Sequence, residues 1–127
     1  MREVRESGAA RPRNDRVRTT ADAPRLPSVR EIQELMWRDA GLFRTREGLE
    51  AAADTLDAEW RRSEGWLQDG GALDAGGWQV VSLLTVARLI AVAARRREES
   101  RGAHYRDDYP KRDDVHWKKR ITDRRGQ

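Results

Sequence analysis

The residues best able to do chemistry lie in one stretch, Glu98-Glu99-Ser100-Arg101-Gly102-Ala103-His104-Tyr105-Arg106-Asp107-Asp108-Tyr109-Pro110. Acids, two arginines, a histidine and two tyrosines ordered between or beside a glycine and a proline invite the reading of an active site. The alternation of charge is also too regular for a floppy tail. Gly102 is where the backbone is expected to leave a preceding helix, and Tyr109 should be extended because it precedes Pro110. Two other chemistries are excluded. The chain has no cysteine, hence no thiol nucleophile, disulfide scaffold or Cys-based zinc site. His104 and His116 are separated by eleven residues, which does not match metal-ligand spacing.

The elements that position this stretch must come from 127 residues, enough for one domain, of which 38% are charged. Charge is unevenly spread. Residues 1–27 hold seven arginines against four acids, residues 28–94 seven basic against eleven acidic, and residues 95–127 twelve basic against seven acidic. Residues 1–27 carry almost no large apolar side chain and cannot offset their ordering entropy, so a disordered basic linker is expected there. They contain no apolar run of the kind a secretory signal needs, and a cytoplasmic location is the default expectation. Interspersed acids and the lack of an aromatic platform argue against a nucleic-acid-binding arm.

An all-α three-helix bundle should occupy residues 28–99. Ser28-Val29-Arg30-Glu31 has capping-box spacing, and Val29, Ile32, Leu35 and Met36 then follow at helical intervals, with Trp37 flanking and Gly41 ending the element. Thr45 can cap a second helix whose apolar face is Leu49, Ala52, Ala53, Leu56 and Trp60. Trp60 and Trp66 read as packing anchors rather than cofactor contacts. Residues 68–77, with four glycines, form a loop.

The third helix, from about Gly77 or Trp78 to about Glu99, is apolar nearly all round. It reads as too short, and too interrupted by Arg88, for a membrane span of about 20 apolar residues. Two partner helices with one stripe each cannot cover it. Leaving Val or Leu side chains in water forfeits roughly 1.5–3 kcal/mol apiece, so an apolar face between Val80 and Ile90 should remain open for another protein surface. Arg95-Arg96-Arg97 places cations on the last turn, where the helix dipole favours them. Beyond, residues 100–117 form an ordered extension in which Asp113 or Asp114 caps a short turn carrying Trp117, and residues 118–127 a frayed basic tail.

The third helix and the string Glu99-Ser100-Arg101-Gly102-Ala103-His104-Tyr105-Arg106-Asp107-Asp108-Tyr109-Pro110 resemble the C-terminal region of the flavoprotein family that contains L-aspartate oxidase and the flavoprotein subunits of succinate dehydrogenase and fumarate reductase. The likeness runs from about Leu26 to about Trp117. Glu34-Leu35-Met36-Trp37, Ala40-Gly41-Leu42-Phe43-Arg44-Thr45-Arg46-Glu47-Gly48-Leu49, Leu83-Leu84-Thr85-Val86-Ala87 and Tyr105 are closer to the L-aspartate oxidase branch. Arg112-Asp113-Asp114 with Trp117 is shared with the succinate dehydrogenase side.

The resemblance implies a bundle packed on a much larger FAD-binding domain, with the flavin oxidising a dicarboxylate, in L-aspartate oxidase L-aspartate to iminoaspartate for quinolinate and NAD synthesis. No Gly-X-Gly-X-X-Gly fingerprint follows a strand here, and none of the family's catalytic motifs occurs, so no catalytic, cofactor-binding or metal residue is expected in this chain. Glu99, Ser100, Arg101, Gly102, His104, Tyr105, Arg106, Asp108, Tyr109 and Pro110 are the family and docking residues. Arg101, His104, Arg106 and Asp108 should fix the extension against the bundle and the flavin domain. An auxiliary role for Arg101 or His104 in holding a carboxylate is the functional counter-reading. Met1 and the linker suggest a truncated, split or separately encoded C-terminal domain, inactive alone and completed by a FAD-binding domain on a longer or separate chain. The alternatives are the corresponding domain of a succinate dehydrogenase or fumarate reductase, or a small basic module binding nucleic acid or an acidic partner.

Overall fold

The computed structural model of the chain describes residues 22–124 and is all-α: α1 (Val29–Ala40), α2 (Arg46–Gln68) and α3 (Ala75–Arg96), then an irregular C-terminal segment. Most of the expected linker over 1–27, namely residues 1–21, and residues 125–127 of the tail lie outside the described residues.

Side-chain caps set the helix starts. Ser28 Oγ accepts from Glu31 N at 3.1 Å and Glu31 Oε2 accepts from Ser28 N at 2.6 Å, a complete capping box. Thr45 Oγ1 accepts from Gly48 N at 3.1 Å and opens α2. α3 begins at Ala75, earlier than expected. Asp74 Oδ1 accepts from Gly77 N at 2.7 Å, and this cap draws Gly76 and Gly77 into the first turn despite their poor helix propensity.

The core is Ile32 of α1, Ala52, Ala53 and Leu56 of α2, and Leu84, Ala87 and Ala91 of α3. Alanines at the α2–α3 contact let the two helices approach closely, and α1 lies against both. Trp66 is buried and lies against the backbone of Gly71, where an added Cβ would sit 2.2 Å from Trp66 Cε2. Trp60 donates to Thr85 Oγ1 at 3.1 Å and lies under the Arg88 guanidinium, which pairs with Asp57. Both tryptophans are therefore packing anchors. Ser63, buried on the same helix and not expected in the core, satisfies itself by donating to the Trp60 carbonyl at 2.7 Å.

Trp37 departs from the expected stripe. Ile32, Leu35 and Met36 face the core; the next residue is turned by roughly 100°, which leaves Trp37 exposed, as Leu42 and Phe43 also are. On α3, Val81, Leu84, Ala87, Ala91 and Ala94 are buried, while Trp78, Val86, Leu89 and Ile90 stay 44–55% exposed. An uncovered apolar face is thus present, although Val80 itself packs on the core. At 22 residues α3 has the length and apolarity of a membrane span, correcting the expectation that it is too short. Its contacts with both other helices and the Arg88–Asp57 pair are those of a bundle helix.

Candidate functional site

The site is built around the end of α3. That helix was expected to reach Glu99 and stops at Arg96; the chain leaves it at Arg97, which is extended (φ −80°, ψ 103°), and not at Gly102. The cause is Arg106. Its Nη1 donates to the carbonyls of Ala94, Arg95 and Arg97 at 3.1, 3.0 and 3.3 Å, groups that a helix end leaves without donors. Nε and Nη2 form a two-pronged pair with Asp108 at 2.7 and 2.5 Å, and the guanidinium lies 5.0 Å from the Tyr109 ring centroid. The Arg106 hydrogen bond holds the Asp108 carboxyl below its ordinary value.

Glu99, with no exposed surface, is a second hub. It accepts from Arg101 Nε at 2.8 Å, Arg101 Nη2 at 3.1 Å, the Asp113 amide at 2.9 Å, and Arg97. The Arg101 bond, against the cost of burial, brings its pKa down to about 2. Arg101 also reaches Asp114 at 2.6 Å, a carboxylate shared with Arg112 at 2.7 Å, while Arg97 donates to the carbonyls of Trp117 and Lys119 at 3.1 and 2.8 Å. Glu99 thereby joins the end of α3 to the chain beyond Pro110. Asp113 caps the short turn there, its Oδ1 accepting from the Val115 and His116 amides at 3.0 Å each.

Gly102 serves a tight turn. Arg101 N donates to His104 O at 2.8 Å and His104 N to Arg101 O at 3.0 Å; Gly102, first of the two residues between, takes φ +57°, where a Cβ is disfavoured. The turn presents the His104 ring to two elements: Nδ1 lies 2.8 Å from Arg44 Nη1 and Nε2 3.0 Å from the Arg97 carbonyl. A carbonyl only accepts, so Nε2 carries the hydrogen and Nδ1 accepts from Arg44. Burial above all, with the charges of Arg44, Arg106 and Arg97, lowers the His104 pKa below 6.5.

Arg44 also donates through Nε to Ala40 O and Gly41 O at 3.1 Å each, capping α1. Its backbone bridges the extension, with Arg44 N on Tyr105 O at 3.3 Å and Asp107 N on Arg44 O at 2.8 Å. Tyr105 meets Phe43 edge-on, centroids 5.9 Å apart. Ser100 Oγ donates to Tyr109 O at 2.8 Å and accepts from Arg106 N at 2.9 Å. Tyr109 Oη accepts from Arg46 at 2.5 Å. Pro110 stands exposed beside Lys111, whose carbonyl accepts from Ser100 N at 3.1 Å.

One lock therefore gathers Glu99, Ser100, Arg101, Gly102, His104, Tyr105, Arg106, Asp108 and Tyr109, with Pro110 at its exposed edge. Arg44 belongs to it as well, sixty positions from His104. Nothing in its local spacing signals that role, and only the Ala-Gly-Leu-Phe-Arg-Thr string marks it. The two groups that suggest carboxylate binding are committed internally, Arg101 to Glu99 and Asp114, His104 to Arg44 and Arg97. The described residues do not fit a flavin dinucleotide either. Each helix N-terminus is closed by its own Ser28, Thr45 or Asp74 side chain and none follows a strand; the Asp74 carboxylate would oppose a pyrophosphate.

Fold and site define an all-α bundle domain closed at one end by a folded-back, arginine-capped segment. The chain belongs to the family described as fumarate reductase flavoprotein C-term, which matches residues 29–124. It is 38% identical over 94 residues to an L-aspartate oxidase of Streptomyces coelicolor, covering 72% of this chain and 16% of that protein. The chloroplastic L-aspartate oxidase of Arabidopsis thaliana is 37% identical over 87 residues, covering 64% and 13%. A fumarate reductase flavoprotein subunit of Helicobacter pylori is 36% identical over 99 residues, covering 73% and 14%. The chain thus spans 13–16% of the length of these curated relatives.

Proposed function

We propose that this chain is the C-terminal helical domain of an L-aspartate-oxidase-like, FAD-dependent oxidoreductase, working with a flavin-binding domain carried on the same or a separate polypeptide. The similarity to the Streptomyces coelicolor L-aspartate oxidase over 72% of the chain is the observation that carries this reading. The open face of α3 at Val86, Leu89 and Ile90 offers the apolar surface such a domain needs to dock on. The flavin supplies the redox chemistry when bound; this chain holds its own C-terminal segment rigid and presents a preformed surface.

The test is to co-express the chain with the flavin-binding part of an L-aspartate oxidase from which the C-terminal domain has been removed. The expected outcome is a co-purifying yellow complex that oxidises L-aspartate, the chain alone being colourless and inactive. Flavin or activity in the chain alone would overturn the reading, and so would failure of the two parts to associate. Similarity to the Helicobacter pylori protein favours a second assignment, to a fumarate reductase or succinate dehydrogenase. Offering the complex succinate with an artificial acceptor, or fumarate with a reductant, separates it from the first. A nucleic-acid module has less to stand on: Arg96, Arg97, Arg101, Arg106 and Arg112 are all ion-paired within the chain, leaving them less able to replace phosphate counterions.

A further inference from the structure

We propose that His104 is an acid-sensitive latch: neutral, it fastens the turn between α1 and α2 to the C-terminal lock through Arg44, and protonated at Nδ1 it releases that turn. Nε2–H is committed to the Arg97 carbonyl at 3.0 Å, so the only acceptor His104 can offer Arg44 Nη1, 2.8 Å away, is the lone pair on Nδ1. Adding a proton there sets a donor against a donor and a cation against a cation at hydrogen-bond distance.

The surroundings cannot absorb the new charge. Arg44 faces the ring from the α1–α2 turn and Arg97 from the end of α3; Arg106 acts on it from the extension itself, where Arg101 closes the turn carrying it. The nearby carboxylates are taken, Glu99 by Arg97 and Arg101, Asp108 by Arg106. Arg44 keeps its Nε bonds to Ala40 O and Gly41 O, so the guanidinium can rotate off the ring without leaving α1. The turn then depends on the two backbone bonds that Arg44 exchanges with Tyr105 and Asp107. The moving part is the exposed Leu42–Phe43 tip with its edge-on contact to Tyr105.

The experiment is NMR on the full chain as pH is lowered from 7.5 until the His104 ring takes up its proton; global unfolding before that point would overturn the latch. Long-range imidazole correlations read the His104 tautomer and charge, and amide exchange, corrected for its intrinsic pH dependence, reads the Arg44 and Asp107 amides against that of Leu84 in the core. The Nε2–H tautomer is expected at neutral pH. As His104 takes up its proton, protection of Arg44 and Asp107 should fall at least about tenfold, the size expected for one charge-assisted hydrogen bond, with Leu84 unchanged. His104→Asn keeps an acceptor near the Nδ1 position and cannot be protonated there, so it should abolish the pH dependence. An Nδ1–H tautomer, titration of His104 without change at Arg44 and Asp107, or the same loosening in His104→Asn would each overturn the latch. The first two readouts need only the wild-type chain.

Discussion

Arg106 and Asp108 form a two-pronged ion pair at 2.7 and 2.5 Å beneath the C-terminal end of α3, with the Arg106 side chain 1% exposed. The remaining nitrogen of Arg106 terminates the helix by binding its last carbonyls. A group from ten positions beyond the helix thus decides where the helix ends.

Removing Asp108 should therefore cost more than a surface pair would. Asp108→Ala leaves a buried guanidinium without its counter-charge, and about 3 kcal/mol of stability should be lost, the low end for a broken buried pair because Asp108 keeps some solvent access. Arg106→Lys should also destabilise, since a single ammonium cannot serve Asp108 and the carbonyls of Ala94, Arg95 and Arg97 together. Urea denaturation of each variant followed by circular dichroism measures both.

Glu99 makes the stability of the chain depend on pH in the acid range. Its pKa falls from 4.5 to about 2 on folding, so between those values the unfolded chain binds more protons than the folded one. The stability Glu99 contributes is complete above pH 4.5 and is lost as pH drops toward 2. In Glu99→Gln the urea midpoint at neutral pH should be lower and its decline in this acid window shallower.

Two leucines on α3 should behave oppositely. Leu84 has no exposed surface, and Leu84→Ala should cost about 2–5 kcal/mol through lost burial and a cavity. Leu89 is half exposed, and Leu89→Ala should change the stability of the chain alone by less than about 0.5 kcal/mol. Leu89→Asp should instead weaken the proposed association with a flavin-binding domain, read as loss of co-purification with the thermal midpoint of the chain retained.

Gly71 is required by a close approach. An alanine Cβ there would sit 2.2–2.4 Å from ring atoms of Trp66, so Gly71→Ala must displace the ring and strip the packing of the loop between α2 and α3. A lowered thermal midpoint with a shifted tryptophan emission is the expected signature.

Much of the fold is legible in the sequence because it is local. The capping box at Ser28, the Thr45 cap and the helical spacing of Leu49, Ala52, Ala53 and Leu56 depend on neighbours within a turn or two. The over-apolar third helix likewise announces an uncovered face, since burial demand scales with apolar area whatever the partner. The ordered charges of residues 99–110 already name the family, and spacing narrows the cap of the last short turn to Asp113 or Asp114, of which the structure uses Asp113.

What only the tertiary structure decided is which charges meet. Local pattern extends α3 to Glu99, and Arg106 returns from along the chain to stop it at Arg96. Arg44 finds His104 across sixty positions because the α1–α2 turn packs beside the helix end. Electrostatic and hydrogen-bond partners are chosen by distance in space, which the periodicity of a sequence does not contain. The charged residues around Gly102 and Pro110 that look like an active site form a lock for that reason: Arg101 meets Glu99 and Asp114, His104 the Arg97 carbonyl, and Arg106 the carbonyl of Ala94.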